Sequence, residues 1–212
     1  MPDNKKKLTD PRQLFLSKGI YPEKRLGQNF LTDPNILNRI ADLAELTTDD
    51  TVIEIGPGMG ALTTVLAERA GRVIAFEKDK RIFPHLVEMF GDYPSVELVR
   101  QDALEADFIA YHEDRKMKAV ANLPYSVSTP ILIRLLEFKD IFSRIVLMLQ
   151  REVGERIVAG PGTRMYGSIS VLIQAYMDVR LSFRIPPGAF WPRPKVDSAV
   201  LVFTPLPEPR AY

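Results

Sequence analysis

The sequence predicts an α/β fold, a doubly wound and mostly parallel sheet whose final strand is antiparallel. Three observations carry this. From Thr51 onward, short apolar runs alternate with stretches of helical spacing, as expected of strand–helix–strand units. The run "RIVLML", Arg144–Leu149, is too apolar for a half-exposed strand and suits the middle of a parallel sheet. Two late runs, near Met177–Arg184 and Ser198–Phe203, have no helix apparent between them, which suggests an antiparallel finish.

The elements follow in order. Asp33-Pro34 opens a helix carrying Ile36, Leu37, Ile40 and Leu43. Thr51–Ile55 ("TVIEI") reads as a strand, and Ala61–Ala70 as a helix with Leu62, Val65 and Leu66 on one face. Arg72–Phe76 ("RVIAF") is a second strand, Lys80–Phe90 a helix, Val96–Val99 a third strand and Lys118–Ala121 a fourth. Ser128 or Thr129 before Pro130 marks another helix start, since proline is tolerated at the first helical position. Ile131, Leu132, Leu135 and Leu136 supply its buried face. Glu152–Ala159 and Ser168–Tyr176 are helical, with the loop "GPGTRMYG" between them. No repeats or low-complexity blocks occur.

At 212 residues, 46% of them hydrophobic, one sizeable domain is expected, here placed at residues 28–205. No apolar run approaches the ~18 residues of a membrane span, and no signal-peptide core follows the start. A cytoplasmic protein without membrane association is expected. Cys is absent, which excludes disulfides, Cys-based zinc sites and thiol nucleophiles, and with them pyrimidine C5 methylation. With His85 and His112 as the only histidines, no metal is expected. The net charge of +1 hides an asymmetry. Residues 1–27 hold seven basic side chains against three acidic ones, +4, leaving −3 for the remainder. This basic arm is either a contact for a phosphate backbone or a solvated tail.

Candidate functional residues stand where ligands bind in such sheets, beyond the carboxyl ends of the strands. "EIGPGMG", Glu54–Gly60, follows the first strand, and Gly56 and Gly58 let the backbone approach a ligand closely. Glu77 ends the second strand, Asp102 follows the third and Asn122 the fourth. Each has a plainer reading. The glycines permit tight packing, Glu77 lies in "EKDK", a solvated helix start with Asp79 as its cap, and Asp102 caps a short helix. Together, at four successive strand ends, they favour a nucleoside-bearing cofactor. The loop departs from G-x-G-x-x-G, and no Tyr-x-x-x-Lys pair for hydride chemistry is present. S-adenosylmethionine has no phosphate to hold; Glu77 suits its ribose and Asp102 its adenine. The sequence therefore favours S-adenosylmethionine as cofactor.

"NLPY", Asn122–Tyr125, then acquires a role. The Asn122 side chain and the Leu123 carbonyl can accept hydrogen bonds from an exocyclic adenine amine and aim its lone pair at the sulfonium methyl. Tyr125 offers a face for the base, with stacking worth ~1–3 kcal/mol. The transfer is an in-line displacement that needs mainly alignment. The plainer reading is a structural turn with a surface tyrosine.

"NLPYSVSTPI" resembles the motif of the adenine N6-methyltransferases of ribosomal RNA, and of the KsgA/RsmA dimethyltransferases in particular. "RLGQNFLTDPNI", "EIGPGMGALT", "LMLQREVGERI", "YGSISVLIQAY" and "PPGAFWPRPKVDSAV" resemble further segments of that family, so the likeness runs over residues 20–204. It implies a Rossmann-like class I S-adenosylmethionine-dependent methyltransferase. It further implies cofactor contacts at Gln28, Asn29, Leu31, Gly56, Gly58, Glu77, Asp102 and Asn122. Catalytic roles fall to Asn122, Leu123, Tyr125 and Phe190, the two aromatics clamping the target adenine. The implied substrate is two adjacent adenosines in a hairpin loop near the 3′ end of small-subunit ribosomal RNA, each methylated twice. The implied partner is an assembling small ribosomal subunit, and the implied state a monomer. Arg184, Arg193 and Lys195 flank Phe190 and either steady phosphates or are ordinary surface charge. Members of the family continue into a small helical domain, so residues 206–212 are read as a stub where it would begin. Two rival readings share the fold: an Erm-type methylase of large-subunit RNA, and an RNA-binding assembly factor with little turnover.

Overall fold

The computed structural model describes residue 19, residues 21–23 and residues 27–210. Most of the basic arm expected over residues 1–27, and residues 211 and 212 of the expected stub, lie outside them.

Seven strands form the main sheet in the order β4-β3-β2-β5-β6-β9-β7. These are β2 (Thr51–Ile55), β3 (Arg72–Phe76), β4 (Val96–Val99), β5 (Met117–Asn122), β6 (Phe142–Gln150), β7 (Met177–Ile185) and β9 (Ser198–Pro205). Strands β4 to β6 pair in parallel. The last strand, β9, inserts between β6 and β7 and pairs antiparallel with both. A second, two-stranded ribbon joins β1 (Phe30–Leu31) to β8 (Phe190–Trp191). The chain builds outward from β2 to β4, then crosses back to β5. The strand order therefore switches between β2 and β5, where open α/β sheets place their ligands.

Helices cover both faces: α1 (Pro34–Leu43), α2 (Ala61–Ala67), α3 (Phe83–Phe90), α4 (Ser128–Glu137), α5 (Arg151–Ile157) and α6 (Ser168–Tyr176). Period-2 alternation sorts the strand residues between them. Ile53, Ile74, Ala119, Leu147 and Leu201 join Ile131, Leu132 and Leu135 of α4 and Ile173 of α6 in one core. Val52, Val73, Val120, Val146 and Val200 join Leu37 and Ile40 of α1 and Leu62, Val65 and Leu66 of α2 in the other. Each such Leu or Ile contributes about 1.5–3 kcal/mol by leaving water. α1 begins as its sequence demands: the Asp33 carboxylate accepts the Asn35 and Ile36 amides, with Pro34 at the first helical position.

Most element boundaries shift by one to a few residues from expectation, and the larger shifts have local reasons. α3 begins at Phe83 rather than Lys80, because the Asp79 carbonyl accepts the Ile82 and Phe83 amides and makes residues 79–82 a turn. α2 stops at Ala67, where the Arg69 and Ala70 amides both turn onto the Leu66 carbonyl. β6 extends to Phe142 and Gln150 because Phe142 is buried under Phe108 and Gln150 pairs with Ser198.

Candidate active site

The carboxyl ends of β2, β3 and β5, the loop after β4 and the segment around β1 enclose a cleft of about 980 Å³, including its open mouth. Gln28, Asn29, Leu31, Gly56, Gly58, Glu77, Asp102, Asn122 and Leu123 all line it. Its floor and walls are largely apolar, with Phe30, Ile55, Met59, Phe76, Val127 and Ile131 between the polar groups. An apolar cleft with a few convergent polar groups is the common form of a small-molecule site.

The glycine loop is built around an acid. Gly56 and Gly58 adopt positive φ of 71° and 57°, a region costly for other residues. A side chain at Gly58 would meet the Phe30 ring at 2.9 Å, whereas nothing lies within 4 Å of one at Gly56. The loop amides are already committed: Gly56 N–H donates to the Phe76 carbonyl at 3.0 Å, Gly60 N–H to Pro57 at 2.9 Å and Gly58 N–H to Glu77 Oε2 at 3.2 Å. A phosphate would find none of these three donors free and would face carboxylates instead. Cofactor classes that rely on a diphosphate cradle fit poorly here.

Glu77 is buried and accepts the Asp79 amide at 2.8 Å on its other oxygen. Burial raises its pKa, while the Asp79 and Gly58 amides pull it back. Its remaining lone pairs suit a diol. Asp79 was not singled out by sequence except as a helix cap, and it does not cap α3; it organises the cleft's rim. Its carboxylate accepts Gln28 Nε2 at 2.9 Å and forms an ion pair with Arg81 at 2.6 Å. Burial acts to raise the Asp79 pKa, but the Arg81 and Gln28 hydrogen bonds outweigh it and hold the acid low. Gln28 Oε1 in turn accepts the Glu23 amide, so the segment ahead of β1 is tied to the end of β3. Asp102 accepts the Leu104 amide at 3.1 Å and Lys78 Nζ at 3.2 Å. Residues 103–105 form a turn rather than a helix, so Asp102 closes a turn at the cleft's edge, and the next helical segment, Phe108–Tyr111, is capped by Asp107 instead.

Glu54 is the residue that sequence reasoning missed. It sits in β2, 1% exposed, and neither carboxylate oxygen has a hydrogen-bond partner. Burial pushes its pKa up to about 8, with the nearby Glu77 adding to the rise. The buried Thr63 hydroxyl of α2 faces this carboxyl and opposes the rise without reaching close hydrogen-bond geometry. Orphaned groups at the wall of a cleft are explained by what enters it, and a buried acid calls for a cation. The signal was available: an acid inside an otherwise apolar central strand, one residue before the glycine loop.

Asn122 ends β5, and its amide makes only a long 3.5 Å contact to the Asn29 carbonyl. Tyr125 lies outside the cleft lining, half-buried, with its hydroxyl 2.7 Å from Ser198 Oγ. Phe190 departs from the sequence expectation. Its ring is 2% exposed, packed in the core with Leu31 and Leu37, and does not line the cleft. The β1–β8 ribbon pairs Leu31 with Phe190, and both join the core beneath α1 and α2, whereas Trp191 packs with Phe30 and Met59. As a second face of a clamp it is covered in this structure. Arg184 is paired with Glu155 at 2.9 Å, while Arg193 and Lys195 are exposed. Among the described residues no helix is long and apolar enough to cross a membrane, and no cluster of three His, Asp or Glu could hold a metal.

Against this geometry, three relatives are informative. Over 196 residues the chain is 50% identical to the ribosomal RNA small subunit methyltransferase A of Geobacter metallireducens, covering 91% of this chain and 71% of that one. The dimethyladenosine transferase of Plasmodium falciparum superposes with a TM-score of 0.75 at 30% identity, covering 84% of this chain and 63% of that one. The 23S rRNA methyltransferase ErmE gives 0.76 at 30% identity, covering 86% and 72%. The family model for ribosomal RNA adenine dimethylases matches residues 22–211, nearly the whole chain. With its cleft at the switch between β2 and β5, this chain belongs to the ribosomal RNA adenine dimethylase family.

Proposed function

We propose that this protein transfers methyl groups from S-adenosylmethionine to the N6 amines of two adjacent adenosines in a 3′-terminal hairpin loop of small-subunit ribosomal RNA. The product is N6,N6-dimethyladenosine. The observation that carries the cofactor is the pair of acids, Glu54 and Glu77, buried beside a loop whose Gly56, Gly58 and Gly60 amides are spent on its own fold. That environment suits a cofactor bearing a sulfonium and an ammonium, and it repels phosphates. Glu77 takes the ribose diol, Asp102 the adenine amine, and Glu54 the ammonium. Gln28, Asn29 and Leu31 close over the methionine chain, and Gly56 and Gly58 leave room for it.

Asn122 Oδ1 and the Leu123 carbonyl then hold the target amine, which is a poor nucleophile until its lone pair is turned out of the ring. The nitrogen–carbon bond forms as the sulfur–carbon bond breaks. The amine's proton becomes acidic on alkylation and leaves to solvent, so no strong base is needed. Tyr125 stacks on the flipped base. Unpaired loop bases are the usual target of sequence-specific RNA recognition. On this reading the partner is an assembling small subunit, met in the cytoplasm by a monomer.

The choice of small-subunit over large-subunit RNA rests on the 50% identity to a small-subunit enzyme against 30% to ErmE. The test is tritium transfer to small subunits lacking the modification, followed by nucleoside analysis. Dimethyladenosine in the small-subunit hairpin is expected. Label confined to large-subunit RNA would contradict the substrate, and failure to bind S-adenosylmethionine in calorimetry would contradict the site.

A further inference from the structure

We propose that Ser198 is a positioning residue, which fixes the plane of the Tyr125 ring on which the target base stacks. This rests on the stacking role given to Tyr125 above.

Ser198 and Tyr125 are 73 positions apart, yet their hydroxyls lie 2.7 Å from each other. Ser198 is the first residue of β9 and fully buried. It is flanked on both sides of the sheet, opposite Gln150 of β6 and Ile185 of β7. The preceding residue is fastened as well: the Asp197 carbonyl accepts the Arg151 amide at 2.9 Å, and its carboxylate pairs with Arg151 at 2.8 Å. One partner of the bond is therefore part of the sheet and cannot follow the ring.

Apart from the Ser198 bond, the hydrogen bond of Tyr125 among the described residues is at its backbone, where its carbonyl accepts the Ser128 hydroxyl at 3.2 Å. Tyr125 follows a proline in a turn, only half buried, and Phe190 is packed in the core rather than opposed to it. A tyrosine on such a turn keeps rotation about two side-chain bonds. A hydrogen bond at the far end of the ring removes that freedom with the greatest leverage. Burial, with the Asp197 charge, keeps the phenol protonated, although the Ser198 bond acts in the opposite direction. It therefore remains able to donate. A base stacked on a fixed face arrives with its exocyclic amine at one height relative to Asn122, and in-line transfer depends on that alignment.

The experiment is a double-mutant cycle on methyl transfer to unmethylated small subunits, with Y125F, S198A and the double variant. Y125F removes the bond from the surface side without touching the core, so it remains informative if S198A folds poorly. Calorimetric affinity for S-adenosylmethionine and melting temperature are measured alongside. The expected result is a fall in kcat of about five- to tenfold in each single variant, the usual worth of one such bond. The double variant should be no slower than either, with cofactor affinity unchanged. Wild-type kcat in Y125F, losses that multiply, or losses that follow cofactor affinity would each overturn the proposal. Tyr125→Ala separates the two layers. An active Tyr125→Ala removes the stacking reading itself, whereas an inactive one beside a normal Y125F removes only the role of Ser198.

Discussion

The parallel half of the sheet and its antiparallel half are organised differently, and the contrast explains how the site works. At the parallel end, Gly56, Glu77 and Asn122 end or directly follow the neighbouring strands β2, β3 and β5, with Asp102 just beyond β4, so each functional group is delivered by the strand beside it. Toward the antiparallel strands and the β1–β8 ribbon, groups meet across long separations: Tyr125, after β5, with Ser198 at the start of β9, and Leu31 with Phe190 in the ribbon. The first half is a rigid cradle for a small cofactor. The second is a seam of converging chain segments, which on the proposed function receives the flipped base. The cradle sets a few convergent polar groups in apolar walls, and the seam brings aromatic rings together. Substitutions should therefore divide: cradle variants lose binding or turnover with the fold intact, whereas in the seam the fully buried Phe190 carries stability and the Tyr125–Ser198 pair turnover.

The largest expected effect breaks the seam. Phe190→Ala removes a fully buried ring and should cost about 3–5 kcal/mol of stability in chemical denaturation. Tyr125→Ala, half-buried, should cost much less. Next, Asn122→Ala should slow methyl transfer by roughly 10²–10³-fold in single-turnover kinetics, with a far smaller loss of cofactor affinity. Third, Glu77→Gln should weaken S-adenosylmethionine binding by roughly 10–10²-fold in calorimetry while leaving turnover at saturating cofactor nearly intact.

The fourth prediction concerns pH and has a definite sign. The Glu54 pKa rises from its ordinary 4.5 to about 8 in the folded protein. Between these values the folded state holds a proton that the unfolded chain has lost. Stability of the unliganded protein is therefore fullest below the unfolded value and declines as pH rises through about 8. Glu54→Gln should flatten that profile and raise the melting temperature at pH 8 by roughly 2–4 °C for each kcal/mol recovered. Cofactor binding should behave oppositely. An ammonium stabilises the ionised acid, so binding expels the proton, and affinity should rise by up to about tenfold per pH unit from pH 6 toward 8. Glu54→Gln should lose that slope and bind weakly, a trade of affinity against stability. The smallest effect is expected at Arg184, whose exposed pair with Glu155 is worth under about 1 kcal/mol. Arg184→Ala should leave melting and cofactor binding almost unchanged.

The same contrast governs what could be read from the amino acids alone. Strand–helix alternation and the residue at each strand end are local features, so the doubly wound sheet, the glycine loop, Glu77, Asp102 and Asn122 were visible in order. Two-residue strands such as Phe30–Leu31 and Phe190–Trp191 have no periodicity to detect, and their pairing joins positions as far apart as Leu31 and Phe190. The burial of Phe190 follows from that pairing and was hidden with it. Ser198 resembles any strand-opening serine until the sheet brings Tyr125 to it. Asp79 passed for a helix cap because "EKDK" looks solvated, whereas the fold buries it under Gln28 and Arg81. Glu54 was legible in principle, since a lone acid in a central strand is costly unless something uses it.

The most direct test is a crystal structure with S-adenosylhomocysteine and an adenosine-containing oligonucleotide bound together. The account predicts the ribose hydroxyls on Glu77 and the target N6 within about 2.7–3.2 Å of Asn122 Oδ1, facing the cofactor sulfur. An Asn122 amide turned away from that nitrogen, or a ribose held elsewhere, would contradict it.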